Sequence, residues 1–252
     1  MSLIKDEKEI NFLREGGAIL ADILRRTAAL ALAGVSTFEL DKFAEKEILK
    51  SGGTPAFKNY GDKRNPFPAA LCTSINSEIV HGIPSKKIIL REGDIVSLDI
   101  GMKYKGLYTD TALTVGVGKI SAEAQRLLQV TEKARDLQVA AVCPGRTIGD
   151  IGHVAQKYIE GQGFAVVRDL VGHGIGYQLH EEPQVPSYGQ PGRGAVLKER
   201  MVIAIEPMVT AGKYSIIIED DGWTICTADN SLAAHFEHTI IVTKTGAEVL
   251  TK

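Results

Sequence analysis

Apolar positions in the first part of the chain recur at helical spacing. Between residues 8 and 33, Ile10, Leu13, Gly17, Leu20 and Leu24 fall on one face, which predicts a long amphipathic helix ended by Gly34. Ser36 with Glu39 three residues later has the form of a capping box, opening a second helix that runs to about Lys50 and closes at Gly52 and Gly53. The same order returns downstream. Ser121 to Val142 reads as a helix followed by Pro144-Gly145. Thr147 with Asp150 resembles a second cap, and its helix runs to about Glu160 before Gly161-Gln162-Gly163. Gly34 and Gly145 lie 111 residues apart, as do Ser36 and Thr147.

Strand patterns follow each helix pair. Apolar runs over 94–100 and 201–206 reach Asp99 and Glu206, while the runs over 108–115 and 236–242 begin beside Asp110 and Glu237. A His-Gly-Ile triplet starts at His81 and again at His173. Self-similarity of this kind points to an internal duplication. The expected fold is α+β: two related halves, about 1–118 and 119–252, whose strands join into one curved antiparallel sheet with helices on its outer face. No low-complexity or Pro/Ser-rich linker divides the chain, so residues 1–252 are expected to form a single domain.

Composition narrows the class. At 252 residues, 44% hydrophobic and 24% charged, the chain is ordinary for a globular protein and long enough to bury a substantial core. A formal net charge of −2 supplies no global field for nucleic acid or an anionic membrane. Cys72, Cys143 and Cys226 form no CxxC pair, which argues against a thiolate zinc site or a disulfide framework and suits a reducing compartment. Residues 1–11 are charged from Lys5 onward and offer no leader, and the apolar stretch 18–33 is broken by Asp22, Arg25 and Arg26, so no membrane span is expected. These features point to the cytoplasm.

The acids carry the candidate chemistry. Acidic residues are depleted from strands and rarely buried without a partner. A single one reads as a surface-facing or salt-bridged position; four in duplicated places ask for more. If the first two strands form a hairpin centred between Tyr104 and Lys105, Asp99 faces Asp110 across the pair, with Cβ atoms about 4.5–5.5 Å apart. Two carboxylates so close repel, and one pKa rises sharply unless a cation intervenes. With Glu206 and Glu237 added, two divalent ions would balance the charge, and oxygen ligands with an imidazole suit Mn, Fe, Co or Zn. Two such ions roughly 3.5–4 Å apart can share a water and polarise a carbonyl, a chemistry that includes amide hydrolysis.

His173 stands among three glycines in Gly172-His-Gly-Ile-Gly176, where little side-chain bulk blocks close approach, although a lone histidine is also commonly structural. That run is not GxGxxG, and no stretch matches GxxxxGK[ST], which argues against nucleotide binding.

In order along residues 6–250 stand Cys72-Thr-Ser-Ile-Asn76, Val80-His-Gly-Ile-Pro84, Leu98-Asp-Ile-Gly101, Thr109-Asp-Thr111, Gly172–Gly176, His180-Glu-Glu-Pro183, Ile205-Glu-Pro-Met208 and Glu237-His-Thr239. The resemblance they carry is to the type I methionine aminopeptidases. It implies the duplicated pita-bread fold and two divalent ions (Co, Mn, Fe or Zn) held by Asp99, Asp110, His173, Glu206 and Glu237. Asp110 and Glu237 would bridge the ions, Asp99 would complete one, and His173 with Glu206 the other. Glu206 would also shuttle the proton of the attacking water. His180 would stabilise the oxyanion, and His81 would contact the substrate amide or protonate the leaving amine. Phe67, Cys72, Leu179 and Trp223 would surround the methionine side chain.

The resemblance further implies removal of the initiator methionine from nascent polypeptides with a small second residue. The protein would be a monomer that meets the ribosome transiently, with no direct nucleic-acid or membrane partner. A proline-specific peptidase of the same fold would usually carry an extra N-terminal domain, and a type II enzyme an insertion between the last two glutamates, here only 31 positions apart. A non-catalytic descendant would have lost ligands. Departures from the family pattern are a longer loop over 61–66, Leu170 for an aromatic, Leu179 for Phe, Ser187 for Asn or His, and His235 for Gln.

Overall fold

Capping boxes open three of the four helices. In the computed structural model, which describes residues 3–252, helix α1 (Glu7–Ala29) starts at Asp6 with Glu9, α2 (Thr37–Lys50) at Ser36 with Glu39, and α4 (Ile148–Gly161) at Thr147 with Asp150. Met1 and Ser2, the start of the stretch expected to lack a leader, lie outside the described residues. Asp150 does what a longer Glu or Gln usually does, returning a hydrogen bond of 2.7 Å from the Thr147 N–H. Helix α3 (Ala122–Ala140) is capped by Ser121 alone.

Helix α1 stops short of residue 33, because the chain must turn there. The Gly34 N–H donates to Leu90 O and the Leu90 N–H returns to Val35 O. The second half repeats this in detail: the Gly145 N–H donates to Leu197 O, and the Leu197 N–H returns to Arg146 O. Below these pairs the Thr37 N–H donates to Ile88 O and the Ile148 N–H to Ala195 O. The duplication read from spacing therefore extends to individual backbone hydrogen bonds.

Between α2 and α3 run β1 (Thr54–Pro55), β2 (Leu71–Ile75), β3 (Glu78–Val80), β4 (Ile95–Tyr104) and β5 (Leu107–Gly116). After α4 come β6 (Ala165–Val166), β7 (Gly172–Gly174), β8 (Glu181–Val185), β9 (Val202–Ile205) and β10 (Met208–Thr210). The last strands are β11 (Ile216–Ile218), β12 (Ile225–Thr227), β13 (Ala233–His235), β14 (His238–Val242) and β15 (Ala247–Val249). Pairing is antiparallel, in four hydrogen-bonded groups: β1-β4-β2 with β5 on β4, β13-β10-β6, β11-β12-β3 and β15-β14-β9-β7-β8. No described helix is long and apolar enough to cross a membrane.

Both faces of the central strands are buried, so their sequences read as continuous apolar runs rather than alternations. In β4, Val96, Leu98, Ile100 and Met102 pack against Leu20, Leu24, Leu40 and Ile48 of α1 and α2. Asp99 therefore points to the other face. In the second half Ile203, Ile205, Ile240 and Val242 pack on Ile148 and Ile151 of α4, and the opposite-facing Val202 and Ile241 join Phe57, Phe67, Cys72, Ile175 and Leu179 in a cluster between the halves. Helices cover the outside, and the inner faces of the two strand pairs turn toward each other.

The two halves are stitched where β5 meets β14. The Asp110 N–H donates to Thr239 Oγ1 at 2.9 Å, and that hydroxyl donates to Asp110 O at 2.7 Å. The Thr111 hydroxyl donates to Glu237 O at 3.0 Å, and the Glu237 N–H to Ala112 O at 2.8 Å. These four bonds fix Asp110 beside Glu237.

Candidate metal centre and its pocket

The β4–β5 hairpin sets the first two acids. Its turn is Lys105-Gly106, with φ of 48° and 90°, the left-handed pair that a two-residue hairpin turn requires. The centre is thus one position later than the sequence suggested, and the register moves by two: Asp99 opposes Ala112, and Asp110 opposes Gly101. A shift of two keeps both acids on the inner face, as diagonal rather than direct neighbours. Glu206 directly follows β9 and Glu237 directly precedes β14, the corresponding antiparallel pair.

All five sequence-predicted ligands line one cavity of about 600 Å³, together with His81, His180, Phe67, Cys72, Leu179 and Trp223. Among the described residues, Asp110, His173 and Glu237 each bring a ligand atom to within 4.8 Å of the others. His173 Nε2 lies 3.4 Å from Glu206 Oε1. Its Nδ1–H donates to Gly174 O at 2.9 Å, so in the neutral ring Nε2 keeps its lone pair and points it into the cavity. Cys72 sits directly opposite Asp99 across β2 and β4.

The electrostatics are those of a buried acid cluster. Burial pushes the Asp99 carboxyl up to about 6, against the pull of His235. Burial, then the charges of Asp99 and Glu206, drives Asp110 well above the carboxylate range, and burial with Asp110 does the same to Glu237. Asp99 Oδ1 and Glu237 Oε1 are buried without a hydrogen-bond partner among the described residues. Orphaned carboxylate oxygens facing an imidazole lone pair suit divalent cations bound through oxygen and nitrogen, so the residues present fit such ions.

Histidines flank this cluster. Burial, reinforced by His173, drops His180 to about 4, and burial lowers His81 as well, so both rings are neutral near neutral pH. His180 Nδ1 is bonded to the Tyr60 hydroxyl, and its ring meets that of His173 edge-on, centroids 4.4 Å apart. The segment carrying Leu179 and His180 is backed by buried Lys5, whose Nζ lies 3.1 Å from Glu181 Oε2 and 3.8 Å from the centre of the Tyr177 ring.

Two residues at the centre carried no site assignment in the sequence. His235 is buried with Nε2 3.5 Å from Glu206 Oε2. In the sequence it stands out only as a departure from the family pattern, and its place two residues before Glu237, on the same side of an extended chain, is the available signal. Tyr60, at the edge of the longer loop, had none. Of the other departures, Leu170 and Leu179 line the cavity, whereas Ser187 is spent on a hydrogen bond to Gln138 Oε1 at 2.9 Å.

Residues 11–244 match metallopeptidase family M24. The methionine aminopeptidase of Clostridium acetobutylicum is 46% identical over 251 residues, covering 100% of this chain and 99% of that protein. Methionine aminopeptidase 1 of Bacillus subtilis is 44% identical over 252 residues and 100% of each chain. The crystal structure of methionine aminopeptidase from Thermotoga maritima superposes with a TM-score of 0.96 at 42% identity, covering 99% of this chain and 98% of that one. With the family match over residues 11–244, near-full-length relatives and a shared pita-bread α+β fold, the chain belongs to metallopeptidase family M24 and, within it, to the methionine aminopeptidases.

Proposed function

We propose that the chain removes N-terminal methionine from nascent polypeptides whose second residue is small, working in the cytoplasm as a monomer that meets the ribosome transiently. The catalytic unit is the whole chain, with halves of about 1–118 and 119–252 each contributing ligands. One observation carries the reading: three carboxyl and imidazole atoms within 4.8 Å of one another, in a cavity whose remaining walls are largely apolar.

Asp99, Asp110, His173, Glu206 and Glu237 would hold two divalent ions. Such ions, when bound, lower the pKa of a water and polarise the scissile carbonyl. The chain's own groups do the rest. Phe67, Cys72, Leu179 and Trp223 wall the methionine side chain, a flexible thioether suited to apolar and aromatic contacts. Glu206, held below the ordinary carboxylate range by His235, His173 and His180 against the push of burial, is ionised and takes the proton of the attacking water. It then returns that proton to the amide nitrogen as the C–N bond breaks. His180, with Nδ1 engaged by Tyr60, presents Nε2–H to the carbonyl oxygen as charge develops there, and neutral His81 contacts the scissile amide.

The test is hydrolysis of Met-Ala-Ser beside Xaa-Pro peptides, after chelation and stepwise return of Mn, Fe, Co or Zn. Metal-dependent release of methionine from the first peptide alone is expected. Cleavage confined to the proline peptides would leave the centre intact but assign it to a proline-specific peptidase.

A further inference from the structure

We propose that the loop over residues 61–66 is a clamp that fixes the indole of Trp223 and thereby sets how tightly the pocket grips an N-terminal side chain. The clamp stands on geometry alone; its consequence for substrate rests on the aminopeptidase reading.

The loop is closed at its base and braced inside. The Phe67 N–H donates to Tyr60 O at 2.9 Å and the Asn59 N–H to Phe67 O at 2.8 Å. Within it the Asn65 N–H donates to Asp62 O at 3.0 Å, and Asp62 Oδ1 accepts from the Arg64 N–H at 2.9 Å. The turn that carries Trp223, between β11 and β12, is braced in the same way. Asp221 Oδ1 accepts the Trp223 and Thr224 N–H groups at 2.7 and 2.8 Å, and the Thr224 hydroxyl donates to Asp221 Oδ2 at 2.6 Å. Each piece carries its own internal hydrogen bonds.

They interlock through a reciprocal pair of hydrogen bonds and a pair of glycines. Trp223 Nε1–H donates to Asn65 O at 3.0 Å, and Asn65 Nδ2 donates to Asp221 O at 3.0 Å. Gly61, at φ +92°, lies so close to the six-membered ring that a Cβ would stand 2.6 Å from Trp223 Cη2. A Cβ on Gly222 would stand 2.9 Å from Asn65 Nδ2. With its single N–H bonded to Asn65 O and one ring edge against Gly61, the indole is restrained in the orientation seen. It presents that orientation to the Phe67 ring, centroids 5.3 Å apart, and to His81 at 6.1 Å, and all three line the cavity with the acids.

A wall held before substrate arrives spares the cost of ordering it on binding, so it acts on affinity. It touches no reacting atom, and Asn65 and Gly61 are therefore positioning residues. Loosening the wall should raise KM and leave kcat alone, the pattern of lost uniform binding.

Trp223 is the only tryptophan in the chain, so intrinsic fluorescence reads this contact directly. The probes are acrylamide quenching and emission maximum in Asn65→Ala and Gly61→Ala, with KM and kcat for Met-Ala-Ser on the metal-loaded enzyme. Asn65 is exposed, so its replacement leaves the core untouched. In both variants red-shifted, more quenchable emission is expected, with KM raised about 5-fold, the equivalent of one hydrogen bond of about 1 kcal/mol, and kcat within about twofold. Unchanged emission and quenching in both variants would overturn the clamp. Altered emission with unchanged KM would overturn its role in specificity. If the wild-type enzyme cleaves no peptide, the aminopeptidase reading has failed, and the fluescence of the variants still decides the clamp.

Discussion

Of the four carboxylates at the candidate centre, Glu206 alone is held below the ordinary range, because His235, His173 and His180 outweigh the burial that raises its neighbours. Similar acids thus differ in charge: Glu206, proposed both as a ligand and as the proton acceptor, favours its ionised form, while its three neighbours favour protons that cations would displace. Glu206→Gln keeps the shape and removes the proton acceptor; kcat for Met-Ala-Ser should fall roughly 100- to 10,000-fold with the far-UV circular dichroism spectrum unchanged, and near-normal turnover would remove Glu206 from that role. His173→Ala deletes the one imidazole in the converging group. Titration calorimetry with Mn should show affinity lost by more than the roughly 10- to 100-fold that outer-shell changes cost, and unchanged affinity would take His173 out of the ligand set. Those acids were legible because a carboxylate inside an apolar strand run breaks a strong compositional rule. His235 was not, since a histidine between Ala234 and Phe236 breaks none, and its role depends on a charge that folding brings from β9.

At the scale of elements, the capping boxes and strand runs were readable because each is set by residues within a few positions of one another. Where the hairpin expectation missed, the missing information was equally local: Lys105-Gly106 places glycine second in a two-residue turn, a weaker signal than Asn-Gly but one that fixes the centre. The face of Asp99 and Asp110 survived because a shift of two preserves it. Position 106 can be probed directly. Gly106 has φ +90° and open space around a would-be Cβ, so Gly106→Ala meets no clash and tests backbone conformation alone. It should cost about 1–2 kcal/mol in urea unfolding, while the ten paired positions of β4 and β5 hold the register and metal affinity stays put. A loss of metal affinity would mean that the turn, rather than the ladder, sets the acids. The contact between Asn65 and Trp223 had no local signature at all, since 158 residues separate them and only the closed fold brings the two turns together.

For the whole molecule, the centre lies where the two halves meet, so its charge bears on the stability of their union. Asp110 and Glu237 are fixed side by side by the Thr111 and Thr239 bridges between β5 and β14, and burial with mutual repulsion raises both, along with Asp99. Each has a folded pKa raised above its unfolded value. Its contribution to stability is therefore present below the unfolded pKa and is lost as pH rises through the folded one, about 6 for Asp99, with Asp110 and Glu237 also raised well above the carboxylate range. Metal-free protein should accordingly lose stability from this cluster as pH climbs toward neutrality, and a divalent ion, taking the place of those protons, should restore it. Differential scanning calorimetry with Mn at one fixed concentration, about 100 times its Kd at pH 7.5, should raise Tm by roughly 5–10 °C near pH 7.5, and by clearly less near pH 5.5, where protons already occupy the site. Equal shifts at the two pH values would mean that the ion binds without displacing protons, and that charge repulsion between the halves is not what the metal relieves.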